Sequence, residues 1–379
     1  MRHLVVLLSA ALVGAAAERK PIYPANAPKP VGPYTPGILA GNYLYVSGQG
    51  ARDPAGKIAS GFDEQARQCL ENVKGVVEAA GLKMDSVVYT QVYLADLKNY
   101  EALNKIWSKY FPKNPPARSL IGVANMPTGT PIEISAVAIT KGASRKNARL
   151  PEPRHAKAPV STGVLVDNRF YLGGIVGRDF AKGVVPDDPK AQVDLMISRA
   201  NEVLKAAKLE MRHLASTTIY VDPKFPRELL LKLLEDAVPS ETARTIVQTE
   251  SLPFGAHVEI TGVASRDMKR EGNCTSIGET IFCPARAGSI QTALKYVNTD
   301  LEAARTQVEN VVASNVFLDH IDNFNAMNKV YAGVFAKNPP TRTTVQAAAV
   351  APTLSLAPAT NTSAKDDGPQ VELAVIAVR

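Results

Sequence analysis

Tryptophan occurs once in 379 residues, cysteine three times and histidine five times. With aromatics at 6% and no alternation of aromatic and basic residues, there is little from which to build a base-stacking platform. Nucleic acid is therefore not expected as a partner. The few cysteines and scattered histidines have no zinc-type spacing, so neither a metal site nor a cofactor is expected. Charge of one sign is not concentrated either. The net +7 comes from 43 basic and 36 acidic residues that are interspersed, the pattern of a solvated surface. Long apolar runs are missing except for Leu4–Val13, which is too short to span a bilayer comfortably. Arg2 before it and Ala15-Ala16-Ala17 after it make residues 1–17 an expected export signal, cleaved near Ala17 ahead of Glu18. No cysteine follows the run, which argues against a lipid anchor, and no membrane association is expected. In an oxidising compartment Cys274 and Cys283 are near enough in sequence to pair, while Cys69 sits in a helical pattern as a small buried hydrophobe.

What the chain does have is a segment that recurs three times: Asn114-Pro-Pro-Ala-Arg118-Ser, Ser240-Glu-Thr-Ala-Arg244-Thr and Asn338-Pro-Pro-Thr-Arg342-Thr. Each places one arginine at the head of an apolar, strand-prone run. A glutamate follows 15 residues later in the first two copies (Glu133, Glu259) and 30 residues later in the third (Glu372). Asn42–Gly48 also lies over Asn168–Gly174 at the offset of 126 residues that separates Arg118 from Arg244. Repeats of this size are whole domains rather than solenoid units, whose periods run about 20–50 residues. The expected organisation is a leader at 1–17 and domains at 22–141, 155–265 and 272–379, joined by linkers at 142–159 and 266–272.

Within the first repeat, Tyr43–Ser47 reads as a strand, with Lys57-Ile58 as its hairpin partner beyond the Asp53–Gly56 turn. Ala66, Leu70, Val73, Val77 and Ala80 recur at helical spacing and Gly81 ends that helix. Strands at 86–94, 117–124 and 131–140 and a second helix at 99–110 complete a β-β-α-β-α-β-β order. This is an α+β domain, a mixed sheet with two helices on one face. The other sheet face needs a partner, and three copies around a pseudo-threefold axis can supply it. The third repeat is irregular. Matching Glu71-Asn72-Val73 to Glu309-Asn310-Val311 puts a loss of about 14 residues at the end of its first helix, and an added loop is expected near Pro352–Pro369.

Gly32-Pro33-Tyr34, Val46-Ser47-Gly48-Gln49, Asn114–Ser119 and Ile132-Glu133-Ile134 together resemble the Rid/YjgF family of enamine/imine deaminases, also called the L-PSP endoribonuclease family. The resemblance implies a chorismate-mutase-like α+β domain that assembles as a trimer with ligand clefts between protomers. For this chain it implies three tandem domains packed as an intrachain, monomeric pseudo-trimer. It implies that Arg118 holds a substrate carboxylate, that Glu133 handles water and protons, and that Tyr34, Ser47 and Gly48 line the cleft. Arg244, Glu259, Arg342 and Glu372 are secondary candidates. The second and third repeats depart from the pattern: Gly173-Gly174-Ile175 and Cys283-Pro284-Ala285 are matched to Ser47-Gly48-Gln49, and neither repeat has a Gly-Pro-Tyr.

The implied chemistry suits these residue types. A planar guanidinium grips a carboxylate bidentately and keeps its charge, and a carboxyl group can orient water and move a proton. The expected partner is a small carboxylate-bearing imine or enamine, hydrolysed to a 2-keto acid and ammonia. The sequence leaves three rivals open: a non-catalytic carboxylate-binding module, an RNA-cleaving activity suggested only by the older family name, and a structural domain in which the arginines make interface ion pairs.

Overall fold

The computed structural model describes residues 18–140, 142–148, 159–348 and 368–379. The expected export signal and most of the expected loop near Pro352–Pro369 lie outside them. The first unit comprises β1 (Arg19–Ile22), β2 (Gly37–Ala40), β3 (Tyr43–Gln49), α1 (Phe62–Ala79), β4 (Val87–Leu94), α2 (Tyr100–Tyr110), β5 (Ala117–Gly122) and β6 (Ile132–Ile139). The second comprises β7 (Arg145–Ala148), β8 (Gly163–Val166), β9 (Arg169–Val176), α3 (Pro189–Ala206), β10 (Leu214–Val221), α4 (Arg227–Ala237), β11 (Ala243–Gln248) and β12 (Val258–Ala264). The third comprises β13 (Met268–Glu271), β14 (Cys274–Ile277), β15 (Thr280–Ser289), α5 (Ile290–Ala303), β16 (Val311–Leu318), α6 (Phe324–Val334), β17 (Thr341–Gln346) and β18 (Gln370–Val378). All three sheets have six strands in one order, β1-β2-β3-β6-β4-β5 in the first, with β4 and β5 parallel and the other neighbours antiparallel. The α+β class and the three tandem units follow.

Each first helix buries the stripe that its sequence period defines. In α1 that stripe includes Ala66, Leu70, Val73 and Val77. The position just past the helix takes a left-handed backbone in every unit, at Gly81 (φ 75°), Lys208 (φ 58°) and Arg305 (φ 58°). Only glycine does this without steric cost, which is why the first copy alone announces the helix end. Trp107 of α2 is fully buried in the core between helices and sheet.

Four readings of the sequence need correction. The hairpin partner of β3 is β2, and Ile58 forms only an isolated bridge with Arg52. The linker regions are not bare connections: β7 and β13 lie in them and form the edge strands of the second and third sheets. The shortening in the third unit lies before its first helix rather than at its end. α5 follows β15 directly, whereas residues 50–61 separate β3 from α1, and Val311 opens β16 as Val87 opens β4. Finally, the bulge in β15 between Cys283 and Arg286 matches the bulge in β3 between Val46 and Gln49. Pro284-Ala285, not Cys283-Pro284, therefore stand where Ser47-Gly48 stand. Cys274 and Cys283 face each other on β14 and β15 and form a disulfide; Cys69 is buried and free.

The sheet faces turned away from the helices pack on one another in a closed ring. Tyr93, Ile121 and Met126 of the first unit meet Val176, Tyr220 and Leu252 of the second and Phe317, Val345 and Ala347 of the third in one apolar cluster. The backbone joins the units as well: Ser161 N donates to Pro116 O (3.0 Å), and Thr35 N donates to Pro340 O (3.1 Å) at the equivalent seam between the third unit and the first.

Each edge strand adds an arginine that grips the preceding unit around the ring. Arg145 donates to Asp85 O, Val87 O, Asn114 O and Pro115 O; Arg19 donates to Glu309 O and Asn338 O; Arg270 donates to Ser240 O. Hydrogen bonds from a charged donor contribute about 1.5–3 kcal/mol each when desolvated and less at a partly exposed seam. Arg145→Ala is expected to cost about 1–3 kcal/mol of stability, read as a lower urea midpoint. An unchanged midpoint would show that the grip is incidental.

Candidate active site

The structure divides the residues singled out in the sequence between different clefts. Tyr34, Gly48 and Glu133 of the first unit line a cavity of about 540 Å³, open to solvent, together with Arg342, Thr344 and Phe324 of the third. Arg118 lies elsewhere, in a cavity of about 410 Å³ between the first and second units, with Glu259 and Gly174. Arg118 and Glu133 are thus not brought together, and Arg342 rather than Arg118 joins the set of Tyr34, Ser47, Gly48 and Glu133. The 15-residue spacing within a repeat places the arginine on β5 and the glutamate on β6, on either side of β4 in the sheet, and their side chains serve different seams. Arg118 and Arg342 each meet the glutamate of the next unit around the ring, Glu259 and Glu133 respectively.

The bulge in β3 shapes the Arg342 cleft. Extra residues on one strand of an antiparallel pair re-aim its side chains, and here Ser47 and Gly48 fall in the register shift. Ser47 Oγ donates to Thr35 O at 2.6 Å and accepts from Arg342 N at 3.0 Å, so it pins the arginine's backbone across the seam. Gly48 is required by close approach: a Cβ there would lie 2.0 Å from Glu133 Oε1. Gly48→Ala is expected to displace the carboxyl and cost about 1–3 kcal/mol as overpacking does, read as a lower urea midpoint; an unaltered one would mean that the carboxyl moves freely.

Glu133 is 7% exposed, and burial pushes its pKa up to about 8, against the opposing pull of Arg342 and a backbone hydrogen bond from Thr344. At neutral pH it is mainly a neutral acid with a proton to give. Arg342 is itself buried, between the rings of Tyr331 (4.9 Å) and Phe324 (5.6 Å), with Tyr34 at 5.9 Å. Burial lowers its pKa and raises that of Tyr34.

The Arg118 cleft repeats this design with other walls. Arg118 Nη2 donates to Asn104 Oδ1 at 2.7 Å and the guanidinium lies over Trp107 (4.9 Å) and Tyr100 (5.5 Å). Its Nη1 is buried and has no hydrogen-bond partner among the described residues. Ser119 Oγ donates to Glu259 Oε1 at 2.6 Å, and a Cβ at Gly174 would lie 2.2 Å from the same oxygen. The third seam is different. Arg244 is half-buried and donates to Leu234 O (3.1 Å); Leu231 and Leu234 occupy the α4 positions that carry Asn104 and Trp107 in α2. Across that seam Ala285 takes the place of Gly48, so a methyl group stands where the other units leave room for a glutamate. Glu372, buried on β18, belongs to this third unit and not to Arg342's cleft.

The sequence reading missed Arg52, Thr128 and Thr130, which line the Arg342 cleft, and Asn104, which holds Arg118. One signal was available for the last of these. Leu103-Asn104-Lys105-Ile106 recurs as Met327-Asn328-Lys329-Val330 at the 224-residue offset that separates Arg118 from Arg342.

The fold and its seams define a class: three α+β units closed into a ring, with buried arginines facing glutamates between units. The sequence pattern of the family described as Endoribonuclease L-PSP matches residues 24–140, 151–266 and 279–356, and the chain belongs to that family in three tandem copies. A RutC family protein of Saccharolobus solfataricus is 43% identical over 119 residues, 31% of this chain and 94% of that protein. The human protein named 2-iminobutanoate/2-iminopropanoate deaminase is 42% identical over 123 residues, 32% of this chain and 90% of its own length. Among solved structures, Escherichia coli TdcF, described with bound serine, is 34% identical, covering 32% of this chain and 99% of TdcF with a TM-score of 0.31.

Proposed function

We propose that the protein hydrolyses 2-imino acids and their enamine tautomers to 2-keto acids and ammonia, and that the Arg342–Glu133 cleft performs the reaction. The observation that carries this reading is a buried carboxyl held protonated to about pH 8 in the same cavity as a buried guanidinium. Arg342 receives the substrate carboxylate. The Glu133 carboxyl donates its proton toward the imine nitrogen, which makes the carbon electrophilic, and the carboxylate so formed takes a proton from the attacking water. Water adds to the C=N carbon, the C–N bond of the resulting carbinolamine breaks, and ammonia leaves with the nitrogen protonated. The balance is one imino acid plus one water for one keto acid plus one ammonia. Imines are reactive by themselves, so positioning and proton transfer suffice. The human and Salmonella relatives named for 2-iminobutanoate and 2-iminopropanoate support the substrate class. An exported setting, as the leader suggests, is in keeping with the Cys274–Cys283 disulfide.

The test uses 2-iminopropanoate generated in place by an amino-acid oxidase, with its decay followed alongside the purified protein. Acceleration over buffer is expected. Decay at the buffer rate, with pyruvate still bound, would replace this reading with a non-catalytic carboxylate-binding protein.

A further inference from the structure

The two clefts carry the same polar core and different walls. Relative to the Arg342 cleft, Tyr34 is replaced at the Arg118 cleft by Val160, Gly50 by Val176, Thr128 by Phe254 and Thr344 by Leu120. All four changes remove polarity or add apolar surface. Phe254 packs edge-on against Tyr100 (5.1 Å between ring centres) and against Phe180 (5.7 Å). Its backbone is left-handed (φ 63°), as is that of Thr128, a conformation unfavourable for a bulky residue and retained where the surroundings demand it. Beneath this wall lies Nη1 of Arg118, a buried donor without a hydrogen-bond partner among the described residues, of a kind that native structures seldom leave unsatisfied.

We infer that the Arg118 cleft is a second site, selective for 2-imino or 2-keto acids with an aromatic side chain, while the Arg342 cleft takes small or polar ones. The carboxylate lies on Arg118, completing its hydrogen bonds, and the ring of the ligand packs on Phe254, Val160 and Val176. Apolar wall area rewards an apolar side chain and leaves a polar one without hydrogen-bond partners. One tandem chain can hold two specificities because each seam is built from a different pair of units, so a substitution in one wall leaves the other unaltered.

This inference rests on the deaminase reading for turnover but not for binding, and the experiment separates the two. Phenylpyruvate and pyruvate are titrated calorimetrically into wild-type protein, Arg118→Ala, Arg342→Ala and Phe254→Thr. The imines of phenylalanine and alanine are then offered in the oxidase assay. Phenylpyruvate is expected to weaken about 10-fold more with Arg118→Ala than with Arg342→Ala, and pyruvate to show the reverse. Phe254→Thr keeps the arginine and is expected to lower the preference of the Arg118 cleft for phenylpyruvate over pyruvate by about 10-fold or more. Phenylpyruvate affinity that follows Arg342 or ignores Phe254 would overturn the inference. Selective binding without turnover of either imine would defeat the deaminase reading and leave the selectivity standing. Turnover of 2-iminopropanoate with no aromatic preference at Arg118 would do the opposite.

Discussion

Glu133→Gln is expected to slow hydrolysis of 2-iminopropanoate by about 10²–10⁴-fold at pH 7 and, in the same protein, to raise stability at alkaline pH. Both effects come from one buried proton. In the folded protein Glu133 keeps its proton up to about pH 8, against an ordinary value of 4.5. Below the lower value both the folded and the unfolded chain carry it, and ionisation sets no penalty. Between the two values folding must take up a proton, so stability falls by about 1.4 kcal/mol per pH unit. Above about pH 8 the carboxylate is charged in both states and the penalty levels off. Glutamine has no such dependence. The stability difference between variant and wild type should therefore grow from pH 5 to pH 8 and then flatten, while wild-type kcat falls as pH rises through about 8. Urea unfolding at pH 5, 7 and 9 beside a rate–pH profile measures both. A pH-independent difference would mean that Glu133 ionises as an ordinary glutamate does, and the proposed acid role would fall with it.

Arg342→Ala is expected to lower kcat/KM for 2-iminopropanoate by about 10²-fold, since losing a bidentate, charge-assisted grip costs about 3 kcal/mol. Arg342→Lys restores a charge without the planar fork and should recover only part of that loss. The loss in Arg118→Ala on the same small substrate should be smaller by at least about 10-fold. This contrast tests the cross-unit arrangement, because within one repeat Arg118 is the natural partner of Glu133. Equal losses, or a larger one for Arg118→Ala, would move the turnover to the other seam.

Much of the single unit was legible in the chain. The 3.6-residue stripe of Ala66, Leu70, Val73 and Val77 defines α1 because one helix face must be buried, and the strand periods at 87–94 and 132–139 follow from a sheet with two unlike faces. Errors arose where local signals compete. The Asp53–Gly56 turn resembles a hairpin turn, yet the longer apolar run of Gly37–Ala40 gains more by pairing with β3. The edge strands β7 and β13 are short and rich in charge, as exposed edges often are, and so read as linker. The shortfall in the third unit was misplaced because three matching letters, Glu309-Asn310-Val311, outweighed the absence of a loop, which leaves no residues to match.

By itself the sequence determined that three α+β units follow one another, that each offers an arginine and a glutamate, and that the chemistry of those groups suits a small carboxylate. Repeats, periodicity and residue type are local properties, and local properties are written in the chain. Only the tertiary structure decided which arginine meets which glutamate. Ring closure sets Arg342 beside Glu133 and Arg118 beside Glu259, and Ala285 stands across the third seam from Arg244. It also decided that the Glu133 carboxyl is held above its ordinary pKa, at about 8, since that depends on how much water the neighbouring unit excludes. A side chain's partner across an interface is fixed by the geometry of two surfaces packing together, and no spacing along one strand records it.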